Sequence, residues 1–144
     1  LQTAANSSGL LGAAAVAPFD FSLTAKSPGL REAVRRELED CLPIRRIGLD
    51  GLMDEMDRNA EKWSFVSLAD RLSRLPVCLV GAESDDISVP KHHVLPLYRA
   101  LLRSGNPDAM LRMVNDGHCL SGTRTELAGF LLDWADGILK NYRG

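Results

Sequence analysis

The sequence has few aromatic residues, little cysteine and no long apolar run. Aromatic residues make up 6% of its 144 residues, and Cys41, Cys78 and Cys119 are its three cysteines. An odd number of widely separated cysteines, without CxxC or Cys/His zinc spacing, argues against a disulfide framework and favours a reducing compartment. The longest apolar stretch, residues 10–19, is too short to cross a bilayer. We therefore expect a cytoplasmic protein, with secretion as the alternative, and no membrane partner.

The sequence also lacks an excess of charge of either sign. Its formal net charge is −2, and acidic and basic residues are interspersed along the chain. A nucleic-acid-binding protein would show a basic stripe or a high isoelectric point, so we expect no nucleic-acid partner. With 45% hydrophobic residues and a length typical of one domain, the chain is long enough to bury a core of its own.

Apolar runs and helical patterns alternate along the chain. Residues 13–17 are a short apolar run without alternation, which predicts a fully buried strand. The continuous apolar run at 76–82 is the strongest strand signal in the sequence, and residues 110–114 predict a third strand. A helix is predicted over residues 90–104, with Leu102 among the residues of its apolar face and Gly105 as its stop, and an amphipathic helix is predicted over residues 122–142. Strands that alternate with helices imply βαβ units, so we expect an α/β fold with a parallel sheet.

The segment between the first two predicted strands, residues 27–75, shows only helical patterns. Ser27 predicts an N-cap, and Leu30, Val34, Leu38 and either Cys41 or Leu42 form one apolar face before Pro43. Residues 48–63 give a more broken pattern, with Met53 and Met56 on its apolar side. We interpret this segment as a helical insertion, with the role of a cap over a site or of an outer packing layer.

Polar side chains follow two of the predicted strands at the point where ligands bind in parallel α/β sheets. Asp85 and Asp86 follow the strand at 77–82, and His118 follows the strand at 110–114. An aspartate beside a histidine holds the imidazole in one tautomer and stabilises its protonated form. The pair would act as a general base, and a base of this kind needs a nucleophile to activate.

Three segments carry a family resemblance: GAESDDI at 81–87, PLYRAL at 96–101 and DGH at 116–118. They resemble the last part of the α/β-hydrolases, more narrowly the cutinase-like polyester hydrolases and their dienelactone-hydrolase and prolyl-oligopeptidase-like relatives. In those enzymes a GAExD segment carries the triad aspartate and a DGH turn carries the triad histidine. The resemblance therefore implies Asp85 as the acid and His118 as the base, on the C-terminal part of an α/β-hydrolase fold with a cap-like insertion at about 27–75.

The position of the acid has an alternative. The wider superfamily uses GxxDxxVP, with the acid four residues before the proline, and counting back from Pro90 gives Asp86. Counting forward from Gly81 along GAExD gives Asp85. We prefer Asp85 because three residue identities support it against one spacing, and we keep Asp86 as the alternative.

The G-x-S-x-G motif of the superfamily nucleophile is absent from the sequence. Ser7 and Ser8 lack the elbow glycines, and Ser121 follows the histidine, which is the wrong order. The opening LQTAAN has no initiator Met or leader pattern, and it fits the last turns of the helix after the elbow. We therefore expect the nucleophile roughly seven to ten residues upstream of Leu1.

The resemblance implies a serine hydrolase that cleaves an ester or another acyl bond of a small molecule, without cofactor or metal. A prolyl-oligopeptidase-like peptidase, an acyltransferase with the same triad, and a non-catalytic binding module are the alternatives. The expected partners are the N-terminal part of the same fold or a second copy, because the first strand would leave an unpaired edge.

Consecutive His92 and His93 point about 100° apart on a helix, so a surface position is predicted for them rather than a metal site. Cys119 is interpreted as a small packing residue.

Overall fold

A computed structural model describes residues 1–39 and 48–143, with side chains described to residue 142. The predicted helix end at Cys41, Leu42 and Pro43 lies outside these residues. Contacts divide the chain into two compact units, Asp20–Ser67 and the remainder, Leu1–Phe19 with Leu68–Gly144. The elements, in chain order, are α1 (Gln2–Asn6), β1 (Ala13–Val16), a 3₁₀ helix (Phe21–Lys26), α2 (Pro28–Glu39), α3 (Gly48–Trp63), a 3₁₀ turn (Val66–Leu68), α4 (Ala69–Leu72), β2 (Val77–Ala82), α5 (Pro90–His93), α6 (Leu95–Arg103), β3 (Ala109–Val114) and α7 (Arg124–Arg143).

The larger unit holds a three-stranded parallel sheet in the order β1-β2-β3, flanked by helices. Val77 of β2 lies beside Ala13 of β1 and beside Ala109 of β3, so the three strands start together, and β1 ends two residues before the other two. The predicted α/β class and parallel sheet are confirmed. Since the strands run in one direction, the loops after β2 and β3 leave the sheet at the same edge.

The burial of the strands follows their place in the sheet. All six residues of β2 are buried, as expected for a central strand covered on both faces. The predicted full burial of the first strand is wrong, because Ala14 and Val16 of β1 are exposed. Within the described part of the chain β1 pairs on one side only, and its outward side chains have no layer over them.

Helix α7 covers one face of the sheet through the apolar face that its sequence predicts. Leu127 packs in a core cluster with Cys78, Val80 and Ala82 of β2, and Trp134 lies against it. The close approach requires Gly12 just before β1, where a Cβ atom would come within 2.7 Å of Ile138 and 3.1 Å of Trp134.

The predicted helix over residues 90–104 is divided into α5 and α6. The break falls at Val94, two residues before Pro96, which has no N–H to continue the helical hydrogen bonds. Leu102, placed by the helical pattern on the inner face, is 50% exposed. Gly105, with φ +75°, ends the helix as predicted.

The smaller unit, Asp20–Ser67, is helical in its described residues. The Ser27 hydroxyl accepts a hydrogen bond from the Leu30 N–H at 3.3 Å, which confirms the predicted cap. The segment expected to be broken is one continuous helix, α3, whose Met53 and Met56 are buried. Helix α3 packs against the 3₁₀ helix Phe21–Lys26. Its role as a cap stays a prediction.

Candidate functional site

The loop after β2 buries the side chain of Asp85. Its carboxylate has no solvent-exposed surface, and its Oδ1 accepts hydrogen bonds from the N–H groups of Ile87 at 2.9 Å and Ser88 at 2.6 Å. This is the local turn that aspartate favours, in which the side chain bonds the backbone two and three residues ahead. Buried Ser88 in turn donates its hydroxyl to the Pro18 carbonyl at 2.6 Å, which fixes the loop to the segment after β1.

The loop after β3 brings His118 to the same carboxylate. The imidazole Nδ1 lies 2.9 Å from Asp85 Oδ2 and 3.1 Å from Oδ1. An ionised carboxylate accepts but does not donate, so a hydrogen bond here requires the proton on Nδ1. In the neutral ring Nε2 then keeps its lone pair, and no described residue hydrogen-bonds to Nε2. Nε2 can therefore accept a proton from a group placed beside it.

The two candidate aspartates lie in different surroundings. Asp85 is 4% exposed and contacts His118, whereas Asp86 is exposed. In residues 1–39 and 48–143 no hydrogen bond or ion pair to the Asp86 carboxylate is formed. The structure thus brings together the preferred pair and leaves the alternative acid in solvent, while the catalytic role of either residue stays a prediction.

Asp116 organises the histidine loop, and the sequence reasoning gave it no role of its own. Its carboxylate accepts hydrogen bonds from the N–H groups of Gly117 (2.8 Å), Gly122 (2.9 Å) and Thr123 (3.0 Å), and from the Thr123 hydroxyl (3.0 Å). The Gly117 N–H, together with Thr123 and Gly122, lowers the pKa of the Asp116 carboxyl below its ordinary 3.8. The sequence feature that could have identified Asp116 is an Asp-Gly pair, typical of a turn, a few residues before the start of a predicted helix.

The structure contradicts two of the predictions, one for Cys119 and one for His93. Cys119 is exposed instead of packed, and the next residue, Leu120, with φ +52°, is buried at 8% exposure. His93 is buried instead of lying at the surface, and its ring stacks on Phe19 with centroids 4.3 Å apart. His92, the other member of the pair, is exposed as predicted.

No group of three or more His, Cys, Asp or Glu side chains in the described residues could hold a metal ion. None of the described helices is both long and apolar enough to cross a membrane.

The larger unit contains a cavity of about 780 Å³, but Leu11, Pro76 and Ala109 in its lining place it at the amino ends of the strands. The Asp85–His118 pair lies at their carboxyl ends and does not line that cavity.

Comparison with known proteins gives no relative: no family model, no curated protein and no solved structure matches this chain. A functional interpretation therefore depends on the geometry of the pair and on the residues around it.

Proposed function

We propose that this chain carries the acid and the base of a serine hydrolase of the α/β-hydrolase type, which cleaves an ester or another acyl bond. Its nucleophilic serine would lie N-terminal to Leu1. The observation that carries the proposal is the bond from His118 Nδ1 to the fully buried carboxylate of Asp85, at 2.9 Å. It leaves Nε2 free of hydrogen bonds from described residues, as a general base requires.

In the proposed reaction Nε2 of His118 removes the proton of the serine hydroxyl while the serine oxygen attacks the acyl carbonyl. Asp85 stabilises the imidazolium that forms, and it keeps the ring in the tautomer that exposes Nε2. The imidazolium then protonates the leaving alkoxide, and an acyl-enzyme remains. Water, deprotonated by His118 in the second half, releases the acid and restores the serine.

The position of the pair supports the proposal. Both residues lie beyond the carboxyl ends of neighbouring parallel strands, where active sites of open α/β sheets are found. The Asp85 carboxylate is held by two backbone N–H groups in addition to the imidazole, so its orientation does not depend on His118 alone. A surface ion pair would have no such support and would contribute little.

The proposal is tested by reading the encoding frame upstream of Leu1 and expressing the longer chain. We expect a G-x-S-x-G motif there, and labelling of its serine by a fluorophosphonate that leaves the 144-residue chain unlabelled. In the longer chain His118→Ala and Asp85→Asn should lower turnover by roughly 10⁴-fold, with Asp86→Asn as the matched control near the parent value. A frame without the motif would contradict the hydrolase and favour a non-catalytic module, whereas equal losses in Asp85→Asn and Asp86→Asn would contradict the assigned acid.

A further inference from the structure

The loop that carries His118 is closed at both ends by one side chain. The Asp116 carboxylate bonds Gly117 at the start of the loop through Oδ1, and Gly122 and Thr123 at its end through Oδ2. Thr123 is also the residue whose carbonyl accepts the first helical hydrogen bond of α7, from Leu127 at 2.8 Å. The carboxylate therefore ties both ends of the loop to a helix that packs on the sheet, and its charge suits the amino end of a helix.

The main chain of the same residue reaches the loop that carries Asp85. The Asp116 carbonyl accepts a hydrogen bond from the Ser84 N–H at 3.0 Å, one residue before Asp85. A Cβ atom on Gly117 would lie 4.0 Å from the Ser84 carbonyl oxygen, so the two loops run side by side at this point. Asp116 thus contacts the aspartate loop through its backbone and the histidine loop through its side chain.

We propose that Asp116 is a positioning residue that holds the His118 imidazole in register with Asp85. The inference rests on the proposed function for its catalytic meaning, but the geometric part concerns only this chain. The Asp116 carboxylate makes no hydrogen bond to the imidazole, and it acts through the loop between residues 117 and 122.

The physical reason is the small amount of other structure that fixes this loop. His118 is one-third exposed and Cys119 is exposed, so the two residues at the tip have little packing around them. Inside the loop, the Leu120 N–H bonds the Gly117 carbonyl at 3.0 Å, and the Leu120 side chain packs in the core cluster. Without the Asp116 carboxylate, three backbone N–H groups and a hydroxyl would bond to water instead. The loop would then sample conformations in which Nδ1 of His118 loses its hydrogen bond to the Asp85 carboxylate.

The test measures the tautomer of His118 in the 144-residue chain by NMR. The ¹³C shift of Cδ2 and the ¹⁵N shifts of the ring are recorded at about pH 8.5, above the ordinary imidazole pKa of about 6.5. A His118→Gln spectrum separates this ring from those of His92 and His93. We expect the parent chain to show the Nδ1–H form and Asp116→Ala to shift toward the Nε2–H form that dominates in unconstrained histidine.

Asp116→Asn keeps one acceptor oxygen and is expected to give an intermediate tautomer ratio. Asp136→Asn, which removes an exposed carboxylate from α7, and Asn115→Ala, which alters the exposed neighbour of Asp116, are the controls and should match the parent. If Asp116→Ala does not fold, Thr123→Val decides, because it removes only the hydroxyl hydrogen bond and should still produce a measurable shift.

An unchanged Nδ1–H form in Asp116→Ala, or in Thr123→Val where the alanine variant is unfolded, would overturn the positioning role. An Nε2–H form in the parent chain would overturn it as well. In the longer chain that contains the nucleophile, Asp116→Ala is expected to lower kcat by on the order of 100-fold with little change in KM, because a misplaced base weakens the chemical step. If the longer chain has no hydrolase activity while the tautomer still depends on Asp116, the proposed function fails and the positioning role stands.

Discussion

Replacing Asp85 by alanine tests the structural importance of the buried carboxylate without any assay of activity. The substitution removes the acceptor for the N–H groups of Ile87 and Ser88 and for Nδ1 of His118. Each buried donor left without a partner costs about 1–3 kcal/mol. Because two backbone N–H groups lose their acceptor, while His118 is 33% exposed and can bond to water instead, we expect the free energy of unfolding to fall by about 2–6 kcal/mol in total.

Asp86→Ala is the matched control because it deletes the same group one residue further along. Asp86 is exposed, so its removal should change the free energy of unfolding by no more than about 0.5 kcal/mol. Asp85→Asn should lie between the two variants, at about 1–2 kcal/mol, since an amide oxygen still accepts from Ile87 and Ser88. Its amide N–H₂ would then face Nδ1 of His118, and the ring proton is expected to move to Nε2.

The assay is urea unfolding followed by far-ultraviolet circular dichroism, with the slopes compared to show that all variants unfold from similarly compact states. An Asp85→Ala chain no less stable than Asp86→Ala would refute the buried network. It would also remove the structural reason for preferring Asp85 as the acid.

Three further substitutions or conditions give separate tests. The pKa of Asp116 lies below 3.8 in the folded chain, so the stability that its carboxylate contributes is complete above pH 3.8 and is lost as the pH falls through the folded-state value. The thermal midpoints of the parent and of Asp116→Asn should therefore differ at about pH 7 and converge in acid. A difference that stays constant with pH would contradict this. Leu120→Ala should cost about 2–4 kcal/mol in urea unfolding because the side chain is buried in the core cluster, against about 0.5 kcal/mol or less for Leu132→Ala, which is 67% exposed; similar costs would show that Leu120 does not anchor the loop. Ser88→Ala should cost about 1–3 kcal/mol because the Pro18 carbonyl loses its donor, and a neutral result would show that the two loops are not joined there.

Several features of the fold could be predicted because they depend on local patterns. The continuous apolar run at 77–82 is a central strand, and the three- and four-residue spacing of Leu127, Phe130 and Trp134 marks the inner face of α7. The alternation of strands and helices was sufficient to place the loops of Asp85 and His118 at one edge of a parallel sheet.

Other features depend on neighbours that are distant in sequence. Whether the side chains of Ala14 and Val16 are covered depends on the elements that pack around β1. A run of small apolar residues does not distinguish a central strand from an edge strand. His93 is buried because Phe19, 74 positions earlier, supplies a ring to stack on. Cys119 is exposed, whereas the next residue, Leu120, packs in the core cluster with residues of β2, β3 and α7.

The sequence by itself determined the class of fold, the order of its strands along the chain and two residue types that can form an acid–base pair. Periodicity and residue type carry that information, since both act over a few neighbouring residues. The resemblance favoured Asp85 over Asp86, but only the tertiary structure shows which of the two is buried against His118, because that contact arises when the loops after β2 and β3 meet. The tertiary structure also places Asp116 between the two loops. Its carboxylate accepts hydrogen bonds from Gly117, Gly122 and Thr123, and its carbonyl accepts one from Ser84.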